Sequence, residues 1–473
     1  MTPEQLESWA KNADKNFHIK LNVDVLSLDE SLRHLPGKRL TCRATWEGQT
    51  VIAKFFYGSQ FLKHVAQEEF VLNALNDANI KTPNLLHVHQ QDDFAVLIIE
   101  FIPESTSLLD WLNDSPNEQV FESVMSSVTA LMLTCHQSGF LIKDPHLDNF
   151  LVQNNDVYII DAGDISSTGV CLDDMQSIKN LALLYAQLPV GLDTAAYQIL
   201  EKIINGSSLN GCINKEYWQT LVLEQRRWRQ KKFIDKKVFR ECSAFICAQT
   251  RSKFVVAKRN TYTPEMEKAL QEPDALIENG HLLKDGNTAT VARVEINGQY
   301  YVLKRYNIKK PIHSIIRGFK WSRAAVSWRN GLLLEMLGIP TAKSYALIEE
   351  RWGGLRRRSY LLSEYIDAPQ AWDIYEGDSY SEQDKIEWAE KIYGLFMLLK
   401  QSQISHGDLK AQNILCPPNG ALFIDLDGMK SKQSPKGFNR QFNKDINRFH
   451  ISWPEKWKFN PYFFDRLTKV NKA

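Results

Sequence analysis

Cysteine is scarce in this sequence, and its spacing excludes the structures that cysteine usually supports. The 473 residues contain seven cysteines, and none forms a Cys-x-x-Cys pair. The nearest two, Cys242 and Cys247, lack the second pair that a zinc site requires. An odd, scattered set of thiols is typical of a reduced intracellular protein rather than of a disulfide-bonded secreted one.

Long hydrophobic runs are also missing. The longest, such as residues 95–99, have the length of a strand, far short of the ~20 residues that span a membrane. The first seven residues are polar and partly acidic, unlike a secretory signal. We therefore expect a cytoplasmic protein.

Neither sign of charge predominates in the chain. Lys and Arg number 57 against 56 Asp and Glu, so the formal net charge is +1. No overall field indicates a nucleic-acid partner, and none is expected. The 44% of hydrophobic residues excludes a disordered chain.

The sequence contains an internal repeat with an offset of 264 residues. Residues 97–102 read Leu-Ile-Ile-Glu-Phe-Ile, and residues 361–366 read Leu-Leu-Ser-Glu-Tyr-Ile. The polar pairs that keep this offset are Glu100 and Glu364, Asp144 and Asp408, Asn149 and Asn413, and Asp161 and Asp425. Four landmarks in register predict two related units in tandem.

Each half has the same order of predicted elements. A strand pair with a turn at residues 46–49 or 297–299 ends in a lysine, Lys54 or Lys304. A helical pattern follows at 61–75 or 323–337, then a second strand pair, a long helix and a loop with Asp and Asn. This order predicts an α+β fold of two bilobal domains, 1–215 and 216–473, each with an antiparallel β-rich lobe and a helical lobe.

The repeated polar residues suit phosphoryl transfer. In the second half, the loop His406-Gly-Asp-Leu-Lys-Ala-Gln-Asn413 precedes Phe423-Ile-Asp425. An Asp on a tight loop can accept a proton from a hydroxyl, and an Asn five residues later can ligate a metal. A second Asp after a buried strand can hold Mg²⁺ against nucleotide phosphates, which a strand lysine also contacts.

These residues resemble the protein-kinase-like superfamily, and more narrowly the bacterial lipopolysaccharide kinases, which phosphorylate heptose or Kdo sugars of the inner core. The catalytic and metal loops above carry the resemblance, together with residues 283–291, 303–307 and 322–330. The family resemblance covers most of residues 280–453, and the superfamily resemblance also covers residues 40–185.

The resemblance implies an ATP- and Mg²⁺-dependent kinase. Its implied catalytic residues are Asp408, Lys410 and Asp144, and its implied metal ligands are Asn413, Asp425, Asn149 and Asp161. The implied nucleotide-binding residues are Lys304, Gly286, Asn287, Thr288, Glu364, Lys54 and Glu69. Glu69, or its neighbour Glu68, would be the helix glutamate that pairs with Lys54. In the second half that position falls near Ser327, with Glu335 as the nearest carboxylate.

The first half departs from the family pattern in its catalytic loop. Ile142 and Lys143 replace His-Gly, and His146 replaces the lysine, as in small-molecule kinases. The polar groups needed for transfer are still present, so activity and a degenerate scaffold both remain open for this half.

A basic segment lies in the second half. Eight Lys or Arg and no acidic residue occur from residue 304 to residue 334, with Phe319, Trp321 and Trp328 among them. Arg351 and the run 356–358 flank the next hairpin, whose turn is predicted at Gly353-Gly354. A solvated face is one explanation. The other is an anionic partner, for which a lipid A-core acceptor at the inner-membrane surface fits.

Three functions therefore stand side by side. The first is a kinase for heptose or Kdo of the lipopolysaccharide inner core. The second is a kinase for another small molecule or for protein, and the third is a pseudokinase scaffold with one or both domains inactive.

Overall fold

The computed structural model describes residues 2–12, 17–21, 24–307, 321–352, 355–376 and 379–453. The chain divides into two compact units, Met1–Gln187 with Leu192–Gln225, and Leu188–Gly191 with Arg226–Ala473. The dividing point after Gln225 lies within the helix Lys215–Arg229. The domain boundary after residue 215 stays a prediction.

The first unit opens with a six-stranded antiparallel sheet. Its spatial order is Phe17–Leu21, Asp24–Leu35, Arg39–Trp46, Gln49–Tyr57, Phe94–Glu100 and Leu85–Gln90. The strand Phe94–Glu100 is buried along nearly its whole length, which explains why it is a continuous apolar run rather than an alternating one. The helix Phe61–Asp77 packs on this sheet.

The rest of the first unit is mainly helical. The helices are Pro3–Asn12, Leu108–Asn113, Glu118–Gln137, Asp174–Tyr185, Asp193–Ile204 and Lys215–Arg229. Short strands and 3₁₀ turns form the loop region: Thr106–Ser107, Phe140–Ile142, Leu147–Asn149, Phe150–Gln153, Asp156–Ile159, Ala162–Asp164 and Ile165–Ser167, with Val190–Leu192 at the unit boundary.

The second unit has a seven-stranded antiparallel sheet. Its order is Phe245–Gln249, Lys253–Lys258, Ser344–Trp352, Leu355–Glu364, Gln299–Tyr306, Ala289–Ile296 and His281–Gly286. The helical elements are Gln230–Ile234 (a π turn), Asp235–Lys237, Pro264–Ala269, Pro273–Asn279, Arg323–Met336, Ala371–Glu376, Glu382–Gln401 and Pro435–Ile451. The loop elements are Ala411–Asn413, Ile414–Leu415, Leu422–Phe423 and Leu426–Gly428. The α+β prediction is therefore confirmed.

The two lysine-bearing strands pair with their neighbours at equivalent positions of the repeat. Lys54 pairs across the sheet with Leu97, and Lys304 pairs with Leu361, so each lysine faces the same position of the repeat. The predicted turn at residues 297–299 has left-handed backbone at Asn297 and Gly298, as a two-residue Asn-Gly hairpin requires. The turn predicted at Gly353-Gly354 lies outside the described residues.

Candidate active site

The catalytic loop of the second unit brings its predicted residues together. The Asn413 amide donates to the Asp408 carbonyl at 2.8 Å and lies 3.3 Å from the Asp408 carboxylate. The Asn413 main-chain N–H donates to the Lys410 carbonyl at 2.9 Å, which closes the 3₁₀ turn. Lys410 Nζ lies 3.4 Å from Asp408 Oδ2. The spacing of five residues thus returns Asn413 to Asp408.

Gly407 can only be glycine in this loop. Its φ is +84°, and a Cβ there would lie 2.1 Å from the Gly428 carbonyl oxygen. Its N–H donates to both carboxylate oxygens of Asp445, at 3.0 and 3.1 Å. Burial raises the pKa of Asp445 to about 6, although the Gly407 amide acts in the opposite direction. Asp445 is therefore a positioning residue for the loop that carries Asp408.

Sequence reasoning missed Asp445, although a signal for it exists. It is the only carboxylate in the helix Pro435–Ile451, and it occurs on the face that buries Phe442 and Phe449. A lone acid on the apolar face of an amphipathic helix has to find a donor, because an unpaired buried carboxylate is costly.

His406 connects the catalytic loop to the metal loop. Its Nε2 lies 3.2 Å from the Ile424 carbonyl, directly before Asp425. Burial lowers the pKa of His406 to about 4, so the ring is neutral and donates this hydrogen bond. Ile142 of the first unit has no group for such a bond, and this replacement is the physical difference between the two loops.

We expect Gly407→Ala to lower kcat at least tenfold and to destabilise the second unit by ~1–3 kcal/mol. The methyl group would force the loop away from the Gly428 carbonyl, and the left-handed backbone would be strained. Thermal unfolding and steady-state kinetics check this. The control is Gly394→Ala in the helix Glu382–Gln401, where a Cβ meets nothing within 4 Å and helix propensity favours alanine. A Gly407→Ala protein with the same kcat and the same thermal stability as Gly394→Ala would contradict the prediction.

The metal loop places Asp425 beside the strand lysine. Asp425 has left-handed backbone (φ +61°), a conformation that a non-glycine residue adopts where its surroundings enforce it. Lys304 Nζ lies 2.6 Å from Asp425 Oδ1. Burial acts to lower the pKa of Lys304, but Tyr306 and Asp425 outweigh it and the pKa is raised. Burial acts to raise the pKa of Asp425, and Lys304 reverses this and lowers it.

In the part of the second unit that the structure describes, Lys304 pairs with the loop residue Asp425 and with no carboxylate of the helix Arg323–Met336. Glu335 pairs with Lys258 of an additional strand at 2.5 Å, so it does not serve Lys304. Ser327 hydrogen-bonds the Tyr306 hydroxyl at 2.9 Å. The second carboxylate whose charge acts on Lys304 is Asp427, which also pairs with Arg323.

The predicted nucleotide turn joins the strands His281–Gly286 and Ala289–Ile296, and the second of these pairs with the strand that carries Lys304. Gly286 ends one strand and residues 287–288 form the turn. Asn307 holds this turn by donating from its side chain to the Gly286 carbonyl and from its main chain to the Thr288 carbonyl, both at 3.1 Å. Arg323 also contacts the Thr288 carbonyl, at 3.3 Å, and thereby links the turn to Asp427. The nucleotide contacts of Gly286, Asn287 and Thr288 stay predictions.

Glu364 has a structural use that its predicted nucleotide role did not include. Its carboxylate accepts from the Lys343 main-chain N–H at 3.2 Å, while its own N–H donates to the Lys343 carbonyl at 2.9 Å. Glu100 contacts Asn84 in the same manner in the first unit. In both units the repeated glutamate therefore fixes, through two hydrogen bonds, the residue that directly precedes the neighbouring strand.

The first unit reproduces the catalytic and metal loops. The Asn149 amide donates to the Asp144 carbonyl at 3.2 Å, and Asp161 has the same left-handed backbone as Asp425, with φ +62°. His146, at the position of the family lysine, pairs with Asp148 at 3.2 Å and is half exposed. The two catalytic loops and the two metal-loop aspartates thus share the same backbone arrangement.

Lys54 in the first unit is held by Glu68, and the choice of Glu69 was wrong. Lys54 contacts the buried Glu68 and lies 2.9 Å from Asp161. Successive helix residues point about 100° apart, so only one of the two glutamates can face the sheet. Gly163 leaves room for Glu68, because a Cβ there would lie 3.3 Å from its carboxylate.

Two arginines add to this cluster. Arg39 Nη1 lies 3.3 Å from Asp161 Oδ1, and Arg33 Nη1 lies 3.6 Å from Asp161 Oδ2. Burial acts to raise the pKa of Asp161, but Lys54 and Arg39 lower it to about 2. The carboxylate predicted to hold a metal is therefore surrounded by three cations.

The basic segment is neutralised wherever the structure describes it. Carboxylates from other parts of the chain pair with its members: Lys304 with Asp425, Arg305 with Asp274, Arg323 with Asp427 and Arg329 with Asp235. In the flanking hairpin, Arg351 and Arg356 pair with the buried Glu349, and Arg358 pairs with Asp274 and Glu350. Lys309, Lys310, Arg317, Phe319 and Lys320 lie outside the described residues. A charge count along the sequence misses these partners because they come from distant residues.

A sheet lysine, an Asp-Asn catalytic loop and an Asp in left-handed backbone together define a protein-kinase-like phosphotransferase, and this chain contains the set twice. Residues 275–462 match the lipopolysaccharide kinase (Kdo/WaaP) family, and residues 54–174 match the lipopolysaccharide core biosynthesis protein (WaaY) family. These two matches, one in each half of the chain, are consistent with two tandem kinase-like domains. A comparison with curated proteins gave no match.

These matches confirm the prediction of a kinase that acts on sugar hydroxyls of the lipopolysaccharide core. Membership of a kinase family implies the use of ATP. Throughout the described ranges, no helix combines the length and the apolar character needed to cross a membrane. The same ranges contain no cluster of three or more His, Cys, Asp or Glu suited to a metal ion.

Proposed function

We propose that the second unit transfers the γ-phosphoryl group of ATP to a hydroxyl of a heptose or Kdo sugar in the lipopolysaccharide inner core. The observation that carries this proposal is the convergence of Asp408, Asn413, Asp425 and Lys304 within two adjoining loops and one strand. These groups are the ones that phosphoryl transfer needs for proton acceptance, cation binding and phosphate contact.

Asp408 is the proton acceptor in this mechanism. The sugar hydroxyl oxygen forms a bond to the γ-phosphorus as its proton passes to the Asp408 carboxylate. The bond between that phosphorus and the bridging oxygen breaks, and ADP leaves with the electron pair. Lys410, 3.4 Å from Asp408, neutralises charge on the transferring group. Lys304 holds the α- and β-phosphates beside the turn at Gly286, Asn287 and Thr288.

The residues present fit Mg²⁺. Asp425 offers a carboxylate, and Asn413 keeps its amide oxygen available because its amide nitrogen donates to the Asp408 carbonyl. Hard oxygen ligands of this kind suit Mg²⁺, which usually retains several waters and binds through few protein groups. When bound, the ion supplies charge that offsets the phosphate oxygens.

In this proposal the first unit has the less active of the two phosphoryl-transfer sites. Asp144 would be its proton acceptor and Asn149 and Asp161 its metal ligands. However, Lys54, Arg39 and Arg33 already surround Asp161, and a divalent cation would have to enter against their charge. This cluster favours a scaffold or regulatory role for the first unit.

Association with the anionic inner-membrane surface is part of the proposal. Trp321 and Trp352 are largely exposed, at 48% and 76%, and an interfacial tryptophan can insert at headgroup level. The proposed acceptor is a glycolipid, so an active site close to the bilayer would shorten the distance between the membrane-bound sugar and the catalytic loop. Vesicle sedimentation with Trp352→Ser tests this part separately, and unchanged binding to anionic vesicles would contradict it.

Incubation of the purified protein with ATP, Mg²⁺ and released inner-core oligosaccharide tests the main proposal. Mass spectrometry is expected to show an added phosphate on the oligosaccharide. Transfer to an aminoglycoside, a free sugar or a generic protein, but not to core, would instead indicate a different kinase. Nucleotide binding without any transfer would indicate a pseudokinase scaffold.

A further inference from the structure

The helix Pro435–Ile451 has one exposed face that is uniformly basic. Phe438, Phe442, Ile446 and Phe449 are buried on the opposite face, and the single carboxylate of the helix, Asp445, is buried with them. The exposed cations recur every fourth residue: Lys436, Arg440, Lys444 and Arg448. At 1.5 Å per residue these four positions span about 18 Å, with about 6 Å between neighbours. Within the described ranges, no carboxylate pairs with the first three of them.

This basic stripe, Lys436, Arg440, Lys444 and Arg448, leads to the catalytic carboxylate. Arg448 Nη1 contacts Asp408 Oδ1 and lies 3.4 Å from the Gly407 carbonyl. A cleft of about 520 Å³ opens at this point. It is lined by Asp408, Lys410, Lys444, Asn447, Arg448, Ile451 and Ser452. The cleft therefore contains three cations together with the carboxylate that the proposed mechanism uses as proton acceptor.

Both oxygens of Asp408 are already engaged. Oδ1 accepts from Arg448, while Oδ2 lies 3.3 Å from the Asn413 amide and 3.4 Å from Lys410. A sugar hydroxyl that donates to Asp408 has to compete with Arg448 for Oδ1. Arg448 is half exposed, and exposed ion pairs contribute little stability. A second anion can therefore draw the guanidinium away.

We propose that the basic stripe binds acidic groups of the acceptor saccharide, and that this binding moves Arg448 from Asp408 onto the acceptor. Arg448 is then a positioning residue that makes the proton acceptor available only when an acidic acceptor is present. The proposal rests on the proposed kinase function of the second unit and specifies its acceptor: a sugar chain that already carries carboxylate or phosphate groups.

The chemistry of the stripe favours such a chain. Arginine binds carboxylate and phosphate groups in a planar, bidentate manner, and a row of cations about 6 Å apart matches acidic groups repeated along neighbouring sugars. The helix that follows the metal loop in the first unit, Asp174–Tyr185, carries only Lys179 as a cation. The stripe is thus specific to the unit with the open catalytic site.

The test compares an inner-core oligosaccharide with its carboxyl methyl ester as acceptors. The unmodified protein is expected to have a kcat/KM about tenfold higher for the acid. Arg448→Gln is expected to abolish this preference, raising kcat for the ester while raising KM for the acid. Lys444→Gln is expected to raise only KM for the acid. A dephosphorylated oligosaccharide distinguishes phosphate from carboxylate as the group that is bound, and competition by inorganic phosphate reports binding without a sugar.

The control is Lys268→Gln, which removes an exposed helical lysine and is expected to leave the preference intact. An Arg448→Gln protein that keeps the full preference for the acid, or that loses both activities in proportion, would overturn the proposal. No transfer to either acceptor by the unmodified protein would instead refute the kinase function, so the two failures are distinguishable.

Discussion

Replacing Asp408 by asparagine is expected to lower the rate of phosphoryl transfer about 10²- to 10⁴-fold, the range that a positioned general base contributes. Asparagine has the same shape and retains an oxygen for Arg448, but it cannot take the proton of the sugar hydroxyl. Lys304 and Asp425 are untouched, so nucleotide affinity is expected to change little. Single-turnover kinetics and nucleotide titration measure the two quantities separately.

Asp144→Asn is the matched substitution in the first unit. It removes the corresponding carboxylate 264 residues earlier, and it is expected to change transfer less than threefold, since the cations around Asp161 oppose metal binding there. Mass spectrometry of core from cells carrying each variant reports the same comparison. Equal losses for the two variants would show that both units transfer phosphate and would contradict the assignment to the second.

Replacing Lys54 by methionine is expected to destabilise the first unit by about 3 kcal/mol. The side chain of Glu68 is only 2% exposed and that of Asp161 only 12%, so the substitution leaves two buried carboxylates without their main partner. Arg39, 3.9 Å from Glu68 and 3.3 Å from Asp161, compensates in part, which keeps the effect at the low end of the range for broken buried pairs. Denaturant unfolding followed by hydrogen exchange in the first unit measures the loss.

Two further variants identify the cause of that loss. Adding Glu68→Leu to Lys54→Met is expected to recover much of the stability, because it removes the stranded charge. Lys81→Met, which breaks an ion pair with Asp156 that is more than half exposed, is expected to cost less than ~1 kcal/mol. A Lys54→Met protein as stable as Lys81→Met would show that the cluster around Asp161 contributes nothing to the fold.

The repeat and its loops could be predicted because their information is local. The spacing from Asp408 to Asn413 fixes a turn closed by neighbouring residues, and Asn297-Gly298 determines its hairpin without help from distant segments. For the same reason, the offset of 264 residues located both catalytic loops and both metal loops.

Partners from distant segments could not be predicted in this way. The sequence around Arg323 does not show that Asp427 is its partner, and nothing near Gly407 indicates Asp445. The sequence of the basic segment leaves a solvated face and an anionic-ligand surface both open, because the carboxylates that pair with its described members lie elsewhere in the chain. The basic stripe was overlooked because its cations are four residues apart and become a row only on a helix. The choice between Glu68 and Glu69 required the rotation of the helix on the sheet.

The pairing of Lys304 with the loop carboxylate Asp425, rather than with a helix glutamate, has a consequence for control. Protein kinases are commonly switched by moving a helix so that its glutamate reaches or leaves the strand lysine. In the first unit, Lys54 depends on Glu68 of the helix Phe61–Asp77, so rotation of that helix would break the pair. In the second unit, Lys304 is held by Asp425 and influenced by Asp427, both from one loop. Among the described residues, the helix Arg323–Met336 therefore contacts this loop through Arg323 and Asp427, and its movement would not break a lysine–glutamate pair.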